Sequence, residues 1–265
     1  MPQPIRMVVI GYRGRMGAAA CGWIRAEADL ALVGEVEKDD NLREILKSKK
    51  PDVALDFTTA SVARTNSLQI IECGVAPVIG TSGLSPDDLI DLRLALEAKT
   101  INNKTVNAKN LGGIVVPNFS IGAVLAMRFA EEASRWFSAC EVIEAHHATK
   151  ADAPSGTARA TAERAGKARG ADAATDHSKE LIASVRGGAV EGVRVHSIRM
   201  PGVIAHQETW FGAEGETLKI THDTTDRACF RSGVLLSLRR AGEISGLVVG
   251  LESLLFSMHD TKGRR

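Results

Sequence analysis

The stretch I-R-M-V-V-I-G-Y-R-G-R-M-G, residues 5–17, decides the fold. Its first six residues form a short apolar run that stops at Gly11, the pattern of a buried strand. Glycines follow at Gly11, Gly14 and Gly17, where a backbone must turn tightly and a helix must pack closely on a sheet. A helix expected over residues 15–27 would start at this turn, with unpaired N–H groups and a positive dipole end suited to a pyrophosphate. The usual dinucleotide fingerprint has glycine where Arg13 stands, so the turn is a variant, and taken alone it fits a plain tight βα connection equally well.

Further strands are expected at residues 30–36, 52–57, 76–79 and 114–116, alternating with helical stretches. That alternation implies βαβ units and a parallel sheet. Such sheets bind ligands beyond the carboxyl ends of their strands, here in the loops opening at Gly11, Glu37, Asp56, Gly80 and Pro117. Glu37 closes the second strand about 20 residues after the glycine turn, where an acid meets the adenosine ribose. Lys38 next to it could take a 2′-phosphate, so the pair permits NADH or NADPH, although E-K-D-D would also suit a solvated surface. The loops D-F-T-T, G-T-S-G and P-N-F-S (residues 56–59, 80–83 and 117–120) offer small polar groups for the nicotinamide end.

Beyond Asn118 the pattern changes. A helix is expected over residues 121–137, a strand over 140–145, an alanine-rich helix ending near residue 169, and a polar, exposed connection over 170–179. V-R-V-H-S-I-R, H-Q-E-T-W-F-G and E-T-L-K-I-T-H then alternate in the manner of an antiparallel or mixed sheet. Two closing helices are expected over 233–241 and 246–256. The fold class is α/β: a Rossmann-like dinucleotide-binding domain plus an α+β substrate domain with a mixed sheet.

The chemistry concentrates in E-A-H-H-A-T-K-A-D-A-P-S-G-T, residues 144–157. His146 and His147 transfer protons near neutral pH. Lys150 brings a cation and a second proton donor, and Asp152 can orient a neighbour. Ser155 is a natural N-cap that places the amides of Gly156 and Thr157 at a helix start, a geometry for carboxylates. The segment describes a pocket for an acidic substrate that also needs a proton, while S-G-T also reads as a bare cap. His146 and His147 are adjacent and no third ligand is evident, so no metal site is expected. His196, His206 and His222 lie in the expected sheet, and the residues favour neither pocket nor solvent for them.

The bulk properties narrow the classes. With 44% hydrophobic and 25% charged residues among 265, the chain is a folded globular protein rather than a disordered one. A net charge of +1 gives no sign of a nucleic-acid or anionic-membrane partner. Cys21, Cys73, Cys140 and Cys229 form no C-x-x-C and read as reduced thiols. The N-terminus lacks the apolar core of a signal peptide, and no run approaches the roughly 20 apolar residues of a membrane span. A cytoplasmic location follows.

The motifs together resemble the 4-hydroxy-tetrahydrodipicolinate reductase family, also called dihydrodipicolinate reductase, almost end to end. The resemblance rests on G-Y-R-G-R-M-G, D-F-T, G-T-S-G, P-N-F-S-I-G, H-H-x-x-K-x-D-A-P-S-G-T and H-S-I-R-M-P-G-V-I-A-H-Q-E. It implies that Gly11, Tyr12, Arg13, Gly14, Arg15 and Met16 hold the pyrophosphate, Glu37 the ribose of NADH and Lys38 the 2′-phosphate of NADPH. Gly80, Thr81 and Ser82, with Val116, Pro117, Asn118 and Phe119, would surround the nicotinamide. His146 would be the catalytic proton donor and acceptor and Lys150 a proton donor, with His147, Gly156 and Thr157 on the substrate carboxylates. The family pattern also implies residues 1–118 and 228–265 as the nucleotide domain and 119–227 as the substrate and oligomerisation domain. It further implies hinges near 118–120 and Arg227, and a homotetramer joined through the substrate-domain sheets.

Two features depart from that pattern: Lys38 replaces an arginine common beside the ribose acid, and the stretch from Glu37 to Asp52 is short. The function implied is NAD(P)H-dependent reduction of 4-hydroxy-tetrahydrodipicolinate on the diaminopimelate and lysine route. The rival readings are a reductase of another cyclic imino acid and a non-catalytic NAD(P)H-binding sensor.

Overall fold

The computed structural model of the protein describes residues 3–102, 111–169 and 177–260. Over these residues the chain divides into two compact units, one from Met1–Phe119 and Phe230–Arg265, the other from Ser120–Cys229.

The first unit is built on β1 (Ile5–Ile10), β2 (Leu30–Val36), β3 (Val53–Asp56), β4 (Ala76–Ile79), β5 (Gly112–Val115) and, much later, β11 (Gly246–Val249). Every described pairing among them is parallel, in the order β11-β5-β4-β3-β1-β2. β3, β4 and β5 are buried along their whole length, as strands covered on both faces must be. The covering helices are α1 (Arg15–Arg25), α2 (Leu42–Lys49), α3 (Ala60–Glu72), α4 (Pro86–Asn102), α7 (Arg231–Ala241) and α8 (Glu252–Asp260). The chain runs from β1 outward to β2, then returns across β1 to β3. This reversal is the topological switch point where open α/β sheets bind ligands, and the Gly11 turn sits on it.

One expectation fails here. Residues 246–256 are not one helix: Gly246–Val249 is a strand beside β5, and the helix begins only at Glu252. Gly246 (φ 74°) and Gly250 (φ 85°) adopt left-handed conformations that stop a helix at both ends of the run L-V-V. The sheet therefore has six strands, one more than expected. The helix expected to reach residue 27 ends at Arg25, and Glu27 instead accepts from Arg231 and Arg239.

The second unit pairs α5 (Ile121–Ala133) and α6 (Gly156–Ala168) with five strands: β6 (Ala139–His146), β7 (Gly188–Val190), β8 (Val193–Arg199), β9 (Ala205–Ala213) and β10 (Glu216–Thr224). Their order is β10-β9-β6-β8-β7, with β6 and β8 parallel and the other pairs antiparallel. Ala158, Ala162 and Ala165 are fully buried at helical spacing, so α6 lies close upon Val142, Val193 and Val195. α5 stops four residues short of the expected end; a turn closed from Trp136 N–H to Ala133 O follows it, and Phe137 packs on Phe211. The short strand β7 went unforeseen. It joins β8 through Glu191 and Gly192, both at positive φ, the two-residue turn that suits a hairpin.

Of the polar connection expected at 170–179, residues 170–176 lie outside the described residues, and 177–180 are exposed. All four cysteines are free, and burial pushes the thiols of Cys21 and Cys140 up to about 11.

Candidate active site

In the first unit, the loops singled out by sequence lie along one edge, because parallel strands end together. Gly11 turns at φ 77°, and a side chain on Gly17 would stand 2.1 Å from Gly11 O, so the start of α1 presses directly on the turn. Gly14 is the N-cap of α1; no side chain caps it, and its first turn carries no acid. Its positive end is thus unneutralised, the condition an anionic pyrophosphate needs.

Arg13 N–H donates to Glu37 Oε1 at 2.7 Å, which joins the glycine turn to the end of β2. The Arg13 guanidinium folds over Tyr12, 5.5 Å from the ring centroid. Arg15 and Lys38 are exposed and Met16 half-buried. At the next strand ends, Gly80 has no room for a side chain between Phe57 and Phe119, whose rings meet edge to face at 5.5 Å. Thr81 Oγ1 donates to Thr58 O, and Val116 N–H donates to Ile79 O. Ser82 and Pro117 are exposed, Asn118 is half-buried and Phe119 buried.

Asp56, which opens the D-F-T-T loop expected at the nicotinamide end, instead organises this rim from within. It is fully buried, accepts from Thr58 N–H and Oγ1 at 2.7 and 2.5 Å and from Asn66 at 2.9 Å, and burial raises its pKa.

In the second unit, His146 ends β6 and its Nδ1 lies 2.5 Å from Oε2 of Glu144. Glu144 is fully buried. Arg199, at the end of β8 and in register with His146, donates to both Glu144 oxygens at 2.8 and 3.0 Å. Lys150 Nζ donates to Asp152 Oδ1 at 2.7 Å, and Arg199 also donates to Asp152 O at 2.7 Å. Ser155 caps α6 as expected, its Oγ accepting from Ala158 N–H at 3.1 Å, with Gly156 and Thr157 as the first residues of the helix. His147 is exposed and paired with Thr149 at 2.9 Å.

His146, Lys150, Asp152 and the α6 start are therefore gathered around one buried carboxylate. Burial lowers the His146 pKa below its ordinary value, with the Lys150 and Arg199 charges adding to it and Glu144 opposing. Burial also pushes Glu144 upward, but hydrogen bonds from Arg199, Ser197 and His146 outweigh it and hold the carboxyl below its usual range. Sequence reading missed Glu144 and Arg199. Glu144 sits two residues before His146, on the same strand face, which was a usable signal. The pairing of His146 with Arg199 depends on the β6–β8 register and carried none.

His196 pairs with Glu141, His206 with Asp223, and His222 with Ser120. Among the described residues no group of three or more histidines, cysteines or acids could hold a metal.

Residues 5–111 match the family described as dihydrodipicolinate reductase, N-terminus, and residues 122–259 match dihydrodipicolinate reductase, C-terminus. The chain belongs to the dihydrodipicolinate reductase family. A family relative, the 4-hydroxy-tetrahydrodipicolinate reductase of Nocardia farcinica, is 45% identical over 254 residues, covering 95% of this chain and 98% of that protein. The Listeria monocytogenes reductase of the same name is 41% identical over 273 residues, covering 95% and 100%. Among solved structures, a dipicolinate-bound dihydrodipicolinate reductase from Paenisporosarcina sp. TG-14 superposes with a TM-score of 0.83 at 35% identity, over 95% of this chain and 99% of that one. An amine dehydrogenase from Mycobacterium smegmatis, 14% identical with a TM-score of 0.61 over 92% and 94%, shares the family's fold alone.

Proposed function

We propose that this protein reduces 4-hydroxy-tetrahydrodipicolinate to tetrahydrodipicolinate with NADH or NADPH. The carrying observation is the cluster at the end of β6, where an oriented histidine, a lysine and a helix start meet within one unit of a chain from this family. The glycine turn, the uncapped start of α1 and the Arg13–Glu37 contact fit a dinucleotide. Gly11, Tyr12, Arg13, Gly14, Arg15 and Met16 would hold its pyrophosphate, with Glu37 and Lys38 at the ribose. Gly80, Thr81, Ser82, Val116, Pro117, Asn118 and Phe119 would hold its nicotinamide. When bound, NAD(P)H supplies a hydride.

The substrate is a cyclic imine dicarboxylate that loses its 4-hydroxyl as water. Its conjugated C=C–C=N system accepts the hydride at C4, electrons move toward nitrogen, and the adjacent carbon takes a proton. His146 or Lys150 delivers that proton, a contribution typically of about 10²–10⁴-fold. His147 and the amides of Gly156 and Thr157 hold the carboxylates and align the ring. The dipicolinate in the Paenisporosarcina structure is a planar dicarboxylate of the same outline, which supports this reading.

The finer organisation belongs to the same proposal. Residues 1–118 with 228–265 act as the nucleotide domain and 119–227 as the substrate domain, hinged near 118–120 and Arg227. The assembly is a cytoplasmic homotetramer joined through the second sheet. Support comes from the second sheet, where Ile143 and Trp210 line a depression of about 410 Å³ and Ile198 is an exposed apolar side chain.

The test is oxidation of NADH and of NADPH with freshly generated 4-hydroxy-tetrahydrodipicolinate. Turnover is expected with the wild type, and collapse in a His146→Ala/Lys150→Ala double variant that still binds cofactor. Full activity in the double variant, or oxidation only with a different cyclic imino acid, would overturn the assignment.

A further inference from the structure

The buried carboxylate at the end of β6 does more than pair one charge. Oε2 of Glu144 receives Nδ1 of His146 at 2.5 Å and an Arg199 nitrogen at 3.0 Å. Oε1 receives the other Arg199 nitrogen at 2.8 Å and the Ser155 amide at 3.3 Å. Arginine and a backbone amide can only donate, and the permanent Arg199 charge lying against both oxygens holds the carboxyl as an anion. The proton between Glu144 and His146 therefore resides on Nδ1, and the ring's remaining nitrogen, Nε2, carries the lone pair of the neutral ring: it is the atom that must first take up any proton His146 hands to substrate. A second chain of contacts starts from the same anion. Arg199 reaches on to Asp152 O, and the Asp152 side chain holds Lys150. The Ser155 amide ties the cap of α6 to Oε1.

We propose that Glu144 is the positioning residue of this site: it fixes the His146 tautomer so that Nε2 meets the substrate, and through Arg199 and Ser155 it sets the Lys150 loop and the α6 start against that nitrogen. The proposal rests on the reductase reading for what Nε2 meets, but not for the tautomer. Full burial gives Glu144 no solvent partner to substitute for these donors. The logic is that of a histidine held by a carboxylate behind it, where the orienting group never touches substrate yet selects which nitrogen works.

The tautomer is read directly by solid-state 15N NMR of histidine-labelled wild-type protein at pH 8, with His146→Asn identifying its signal among seven histidines. Protonated Nδ1 and bare Nε2 are expected; a protonated Nε2 would overturn the proposal without any further variant. Glu144→Gln is expected to keep dipicolinate binding within a few-fold while kcat falls about 10²-fold, the scale of general-acid help. Its 15N spectrum should show mixed tautomers, and Glu144→Asp should recover part of the lost kcat. Wild-type kcat with an unmoved pH profile in a folded Glu144→Gln protein would overturn it too. Should the wild type fail to oxidise either cofactor with 4-hydroxy-tetrahydrodipicolinate, the reductase reading falls while the NMR result still decides the tautomer.

Discussion

Phe57 closes the space over Gly80: a methyl group on the glycine would stand 2.2 Å from Phe57 Cε1 and 2.8 Å from Phe119 Cε2. Gly80→Ala must therefore push the β3 and β4 loops apart, at a cost of about 1–3 kcal/mol for overpacking. We expect a lower Tm and a KM for NADH raised about fivefold or more, the factor that ~1 kcal/mol at a cofactor loop corresponds to. Calorimetry and steady-state kinetics check both.

Asp56 gives a prediction with a definite sign. Burial raises its pKa above the ordinary 3.8. A carboxyl with a raised folded pKa contributes most stability below its unfolded value and loses it as pH climbs through the folded value. Asp56→Asn removes that titration, and Asn66 can reverse its amide to meet the new NH₂. Chemical denaturation from pH 4 to 7 should show the variant gaining on the wild type as pH rises. A gap that is constant with pH would contradict the burial argument.

Lys150 and Asp152 form a pair whose acid is more than half exposed, 57%. Such pairs add about 0–1 kcal/mol of stability. Asp152→Asn should leave Tm almost unmoved while loosening the Lys150 ammonium, so kcat should change several-fold against a flat melting curve.

Lys38 should separate the two cofactors. An exposed cation beside a 2′-phosphate is worth about 1 kcal/mol, roughly a fivefold change in affinity. Lys38→Ala should weaken NADPH by that factor, spare NADH, and lose the distinction at high salt. Titration of cofactor fluorescence at two ionic strengths measures it.

Residues with local signals were legible. The strand at 30–36 and the Ser155 cap occur where the apolar run and the S-G-T string indicate. The run G-L-V-V, residues 246–249, was not, because four apolar residues before a helix look like its first turn, and only the β5 edge distinguishes them. Half of the β6 cluster was legible for the same reason. His146 and Lys150 lie within one short segment, whereas Arg199 arrives from β8, 53 residues beyond His146, and no periodicity encodes a parallel register.

The position of β11 also bears on how the chain matures. Until Gly246–Val249 is synthesised, β5 is the outer strand of the first sheet on that side, with its hydrogen-bonding groups uncovered. The second unit, contiguous from Ser120 to Cys229, has all its strands in hand earlier. On the ribosome the later segment should thus reach its native contacts first. The glycine-turn unit would wait with a sticky edge, the point at which truncation or slow translation exposes the protein to aggregation.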